Sequence, residues 1–179
     1  MLGKILAYGG LAGLIVGAVG SGLTIAMADN PPDMSVGMLI GYATMLVALS
    51  AVFVAIKRHR DRDLGGVIRF LPALGLGFGV SAVAGIIYAL AWEATLQVTG
   101  MDYGAKYAEH IVAVEEAKGV AGEALERVKA DAAKFQAQYA NPLIRMPMTF
   151  AEIFPVGLLV SLASAGLLRN SRFLPTRRA

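Results

Sequence analysis

The chain has 179 residues, of which 56% are hydrophobic and 16% charged, with 21 glycines and no cysteine. That balance is too apolar for a soluble domain of this length, and the lack of cysteine removes disulfide and thiol chemistry. The net charge is only +3, and the bases flank apolar runs, so membrane topology accounts for them and no nucleic-acid partner is expected.

Four apolar runs follow one another: Ile5–Ala28, Val36–Ile56, Leu71–Trp92 and Met146–Leu168. Each is long enough to cross a hydrocarbon core of about 30 Å at about 1.5 Å per residue. The expected fold is an all-α membrane protein with four transmembrane helices. It forms a single domain over 1–179, with an extracytoplasmic helical hairpin at 98–145 between the third and fourth spans.

The first run repeats Gly9, Gly13, Gly17 and Ser21 at every fourth position. Ala26-Met27-Ala28 also fits a signal-peptidase site, which makes cleavage after Ala28 the alternative. A packing stripe would be wasted on a discarded peptide, so retention is expected. The second run places Gly37 and Gly41 on one face, followed by Thr44, Ala48 and Ala51. Beyond it, Lys57-Arg58-His59-Arg60-Asp61-Arg62-Asp63 sets orientation and offers Lys57, Arg58, Arg60 and Arg62 to lipid headgroups. The third run carries Gly75/Gly79 and Gly85/Ala89, and the fourth carries Gly157/Ser161/Ala165. In lipid, small residues let helix backbones approach closely, so these stripes predict a tight bundle within one chain or a homo-oligomer.

Placing the N-terminus in the cytoplasm puts Lys4, Lys57, Arg58, Arg60, Arg62, Arg69, Arg169, Arg172, Arg177 and Arg178 inside. The outer side keeps Lys106, Lys118, Arg127, Lys129, Lys134 and Arg145, spread through a much longer stretch. The positive-inside bias therefore predicts an inner-membrane protein with both termini cytoplasmic.

Within the insert, Tyr103, Tyr107, His110, Val114 and Ala117 form one apolar seam. Ala121, Leu125, Val128, Ala132, Phe135 and Tyr139 form a second. Gly119 reads as a helix stop and Asn141-Pro142 as a restart, so the two seams should zip into an antiparallel pair. A protein partner on the outer face would be met through residues 102–140.

Glu93 and Glu152 are the acids in or beside the third and fourth apolar runs, about 6–9 Å below the outer boundary by residue rise. Tyr42 and Tyr88 reach a similar level, and Pro155 withholds a donor from the Ala151 carbonyl. Such a set suits a cation or a shared proton. The structural alternative makes Thr149-Phe150-Ala151-Glu152 a capping box and lets Glu93 reach up to the headgroups. Met34, Met38 and His110 are a weaker soft-metal set. No zinc-protease, catalytic-triad or phosphate-loop pattern occurs, so neither an enzyme nor a cofactor is expected.

Ile40-Gly41-Tyr42, Met45, Ile56-Lys57, Arg60-Asp61, Gly65-Gly66, Trp92-Glu93, Tyr139-Ala140-Asn141-Pro142 and Thr149-Phe150-Ala151-Glu152-Ile153-Phe154-Pro155-Val156-Gly157 run across nearly the whole chain. In these residues the sequence resembles the bacterial membrane proteins of domain of unknown function 4199. The resemblance implies four spans and an outer helical insert and supplies no activity. The residues themselves favour a non-enzymatic adaptor or envelope-associated protein that recognises a partner or lipid on the outer face. A small carrier using Glu93 and Glu152, and a lipid-flipping or lipid-modifying factor, are the alternatives.

Overall fold

The computed structural model describes residues 1–27 and 34–175, and these form six helices. They are α1 (Leu2–Ala26), α2 (Met34–Asp63), α3 (Phe70–Thr99), α4 (Tyr103–Ala117), α5 (Gly122–Tyr139) and α6 (Pro142–Leu168). Four of them are long and apolar enough to cross a membrane, over Leu2–Ala26, Ser35–Asp63, Phe70–Thr99 and Pro142–Leu168, with mean hydropathies of 1.7, 2.3, 2.0 and 1.8. The protein is a multi-pass, all-helical membrane protein among its described residues. The Ala28 cleavage point, Arg177 and Arg178 lie outside them.

The helices outrun the apolar runs that announce them. Hydropathy reports which residues suit hydrocarbon, whereas a helix continues until its backbone is stopped. After α2 the stop is Gly65-Gly66, both at positive φ, with the Gly66 amide donating to the Arg60 carbonyl at 2.9 Å. After α3 it is Gly100, at φ 62°, whose amide donates to the Leu96 carbonyl. The last helix starts at Pro142, at the Asn141-Pro142 restart and ahead of the apolar run from Met146, and Asn141 Oδ1 accepts from the Leu143 amide at 3.0 Å. Thr149 is consequently buried in mid-helix, and the capping-box reading of Thr149–Glu152 fails because no helix begins there.

The chain divides into two compact units: Met1–Trp92 with the chain from Thr149 onward, and Glu93–Met148. In the first, the span unit, α1 runs along α3 on its glycines. A Cβ added at Gly9 would lie 2.6 Å from Val83 Cβ, at Gly13 2.7 Å from the Ala84 carbonyl, and at Gly17 2.6 Å from Ala91 Cβ. Residue numbers rise together along this contact, so the two helices are parallel. Between α3 and α6 the small residues interlock reciprocally. Gly77 faces Ser161, and Gly157 faces Ser81, each too close for a Cβ. Numbers there run in opposite senses, which makes the pair antiparallel. The two serine hydroxyls are buried 3.2 Å apart, each within reach of the carbonyl one turn back. Leu49, Val52 and Ile56 of α2, with Leu76, Val80 and Ile153, complete a fully buried core.

Not every glycine of the expected stripes takes part. Gly41 and Gly75 meet no neighbour within 4 Å, while Gly77, absent from those stripes, is buried against Ser161 and Val52. Gly79 accommodates Ile5, and Gly85 accommodates Phe150. Gly37 is half-buried.

Substitution separates the two classes of glycine. Gly13→Val should destabilise the detergent-solubilised protein by about 1–3 kcal/mol through overpacking. Gly75→Ala should be neutral or stabilising by up to about 1 kcal/mol, because helix propensity alone changes. Thermal unfolding of both variants beside the parent checks this.

Candidate functional site

The insert unit carries its own core. Asp102 caps α4, its Oδ1 accepting from the Ala105 amide at 2.9 Å. Gly119, at φ 83°, follows the last turn as expected, with the Val120 amide donating to the Glu115 carbonyl. Between α4 and α5, Tyr103, Tyr107, Phe135 and Tyr139 form a continuous aromatic cluster with ring centroids 5.0–6.1 Å apart. Alongside them Gly104, Ala108 and Ala132 are buried, and Gly104 leaves room for the Tyr139 ring. The contact line thus includes Gly104 and Ala108, which the expected seam omitted, because small side chains admit closer helix approach than tyrosine or histidine. Ala117 and Ala121 are exposed at the tip, and His110 is half-buried.

Glu93, in the last turns of α3, is held by Arg145 from the first turns of α6. Arg145 Nε donates to Glu93 Oε1 at 2.7 Å and Nη2 donates to Oε2 at 2.6 Å. Its Nη1 donates to the Tyr139 carbonyl at 3.0 Å, and the guanidinium sits 5.6 Å from the centre of the Tyr139 ring. The two side chains are only 11% and 16% exposed. This planar two-point pairing matches the carboxylate charge and occupies both of its oxygens. Sequence reasoning counted Arg145 only as an outer base. The spacing of Arg145 behind the Asn141-Pro142 restart, which puts it in the first turns of the last helix, was the available signal.

In the span unit, Glu152 is exposed on α6, and the Tyr88 hydroxyl donates to its Oε2 at a long 3.5 Å. Tyr42 is 46% exposed on α2, with no hydrogen bond or ion pair among the described residues. Glu93 and Glu152 therefore fall in different units, each with its own partner. Of the soft-metal set, the Met34 side chain lies outside the described residues. Met38 is exposed in the span unit, and His110 belongs to the insert. Among the described residues no group of three or more His, Cys, Asp or Glu could hold a metal ion.

The basic end of the span unit differs most from expectation. Arg60 is fully buried, and so is not offered to headgroups as its neighbours suggested. It donates to the carbonyls of Phe173 at 2.9 Å, Leu174 at 2.6 Å and Leu168 at 3.4 Å, and to Asp61 Oδ1 at 2.7 Å. A guanidinium thereby satisfies carbonyls at and beyond the C-terminus of α6, where the helix dipole also favours a cation. It also engages the carbonyl of Leu174, a non-glycine residue at φ 47°. A signal was present: Met45, Leu49, Val52, Ile56 and Arg60 share one helical face once α2 is carried through the charged run. Arg58 donates to the Tyr8 hydroxyl at 2.8 Å and Lys57 pairs with Asp61. Asp63 takes Lys4 from α1 and His59 from its own helix. Arg62 is exposed.

Residues 8–170 match the family model described as "Protein of unknown function (DUF4199)". No curated protein and no solved structure matches the chain.

Two substitutions test these assignments. Arg60→Met should cost about 2–3 kcal/mol by orphaning buried carbonyls, whereas Arg62→Met should stay within about 0.5 kcal/mol. Thermal melts of the purified variants compare them. In the insert, Glu93→Gln or Arg145→Met alone should cost on the order of 3 kcal/mol, and the double variant should recover part of that loss. Hydrogen exchange across Tyr103–Tyr139 reads the effect directly.

Proposed function

This chain belongs to the DUF4199 family of proteins of unknown function, a multi-pass membrane protein without an established activity, and we propose that it is a non-enzymatic adaptor of the bacterial inner membrane. Its termini lie in the cytoplasm, and the α4–α5 hairpin recognises an envelope partner or lipid on the opposite side. One observation carries this reading. The insert is packed as a unit in its own right, with an aromatic core and a buried Arg145–Glu93 fork at its base. A preorganised helical pair forfeits little conformational entropy when it binds, which suits recognition. The two-carboxylate cation site is less well supported, since both Glu93 oxygens are taken by Arg145. The basic end adds support for the orientation, because Lys4 and the charged end of α2 are joined there by the Lys4–Asp63 pair.

The absence of cysteine makes topology directly testable. Arg127→Cys should react with a membrane-impermeant maleimide in intact cells with a permeable outer envelope, while Arg62→Cys should react only after the inner membrane is opened. The opposite pattern would reverse the orientation. For recognition, a photocrosslinking residue placed at exposed Glu123, Arg127 or Asp131 should yield a discrete adduct in cells. If all three positions yield only uncrosslinked protein, the adaptor reading is lost.

A further inference from the structure

Among the described residues, Glu152 is the one carboxylate that the span unit exposes within a membrane-crossing helix on a face otherwise apolar. The same stripe of α6 continues through Pro155, Leu159 and Leu162, all exposed, at helical spacings of three, four and three. A residue so placed in a span faces lipid, and a carboxylate there is costly unless a cation or a donor meets it. The described bases of the span unit, Lys4, Lys57, Arg58, Arg60, Arg62, Arg69, Arg169 and Arg172, cluster around the opposite helix ends. The Tyr88 hydroxyl supplies one long hydrogen bond. Charge complementarity must therefore come from outside this unit.

A second group on the stripe asks for the same chemistry. Pro155 has no N–H, so the Ala151 carbonyl one turn back lacks its regular helical donor. A carboxylate and such a carbonyl, on adjacent exposed residues, are two acceptors suited to one cationic group with several N–H donors. A primary ammonium carries three, and a quaternary ammonium has none. The apolar stripe beyond Pro155 suits acyl chain, and the level of Glu152, one turn inside Trp92, places it within reach of a headgroup.

We infer that Glu152, Tyr88 and the Ala151 carbonyl form a binding site on the membrane-facing surface for the primary ammonium of a zwitterionic phospholipid, whose acyl chain lies along Pro155, Leu159 and Leu162. The site rests on the span unit alone and is independent of what the hairpin recognises.

The test is native mass spectrometry of the full-length protein after exchange into bilayer discs containing equal parts of phosphatidylethanolamine, phosphatidylcholine and phosphatidylglycerol. The wild type should retain phosphatidylethanolamine several-fold over each of the others. Glu152→Gln, isosteric and exposed, should bring that ratio close to one, and Tyr88→Phe should lower it less. Equal retention of the three lipids by the wild type overturns the site. So does a choline lipid held as well as the ethanolamine lipid, or a preference that survives Glu152→Gln. Should Glu152→Gln fail to fold, Pro155→Ala gives a second reading. It returns a donor to the Ala151 carbonyl and should reduce the preference, and an unchanged preference then counts against the site. Deleting Met101–Gln138 should leave the preference intact, which separates failure of this site from failure of the hairpin reading.

Discussion

A helix in hydrocarbon gains little by burying leucine against a neighbour, because lipid tails offer similar contacts, so association depends on how closely backbones can approach. The span unit meets that constraint at α3. One side of α3 receives the glycines of α1, and another interlocks with α6 through Gly77–Ser161 and Ser81–Gly157. At these points the missing Cβ atoms are what let the helices meet, with clearances of 2.6–2.9 Å for a Cβ that is not there. The senses of these contacts, parallel for α1 and α3 and antiparallel for α3 and α6, follow from which glycine meets which residue.

The same economy governs charge. Two arginines, one in each unit, are withdrawn from solvent and spent on backbone carbonyls near helix C-termini: Arg60 on Leu168 and the residues beyond it, Arg145 on Tyr139. Guanidinium suits this work, since it can serve several acceptors at once and is always charged. Arg145 additionally neutralises Glu93, so the strongest polar feature of the insert is an internal fastening. Glu152, which has only the long Tyr88 contact, stands out against this background as an exposed carboxylate on an apolar span.

A function can be located by the same accounting. Groups that satisfy one another stabilise the fold, and groups whose chemistry is incompletely answered point outward. The hairpin keeps its aromatic core fixed and its charged faces exposed, and those faces are the surface that the proposed partner would meet. The Glu152 stripe presents a different surface, apolar with a single anionic end. The two proposals concern separate chemistry and separate units, one toward an envelope partner and one toward lipid.

Composition and periodicity by themselves determined that the chain crosses a membrane with four helices and carries a helical pair between the last two. Turn chemistry located Gly119 and Asn141-Pro142, because glycine's positive φ and proline's fixed φ act within a few residues. The stripe Gly9, Gly13 and Gly17 was legible for the same local reason. What only the tertiary structure decided was the partner of each face. Gly77 packs while Gly75, two positions away, meets nothing, since the rotation of α3 is set by α1 and α6 together. Arg60 looks like a loop charge until α2 is seen to carry it onto the buried face, and Glu93 looks like an ion ligand until Arg145, 52 residues later, takes both oxygens. Spacing along one helix shows which residues share a face, but the choice of what that face meets is a contact between distant segments, and no local pattern encodes it.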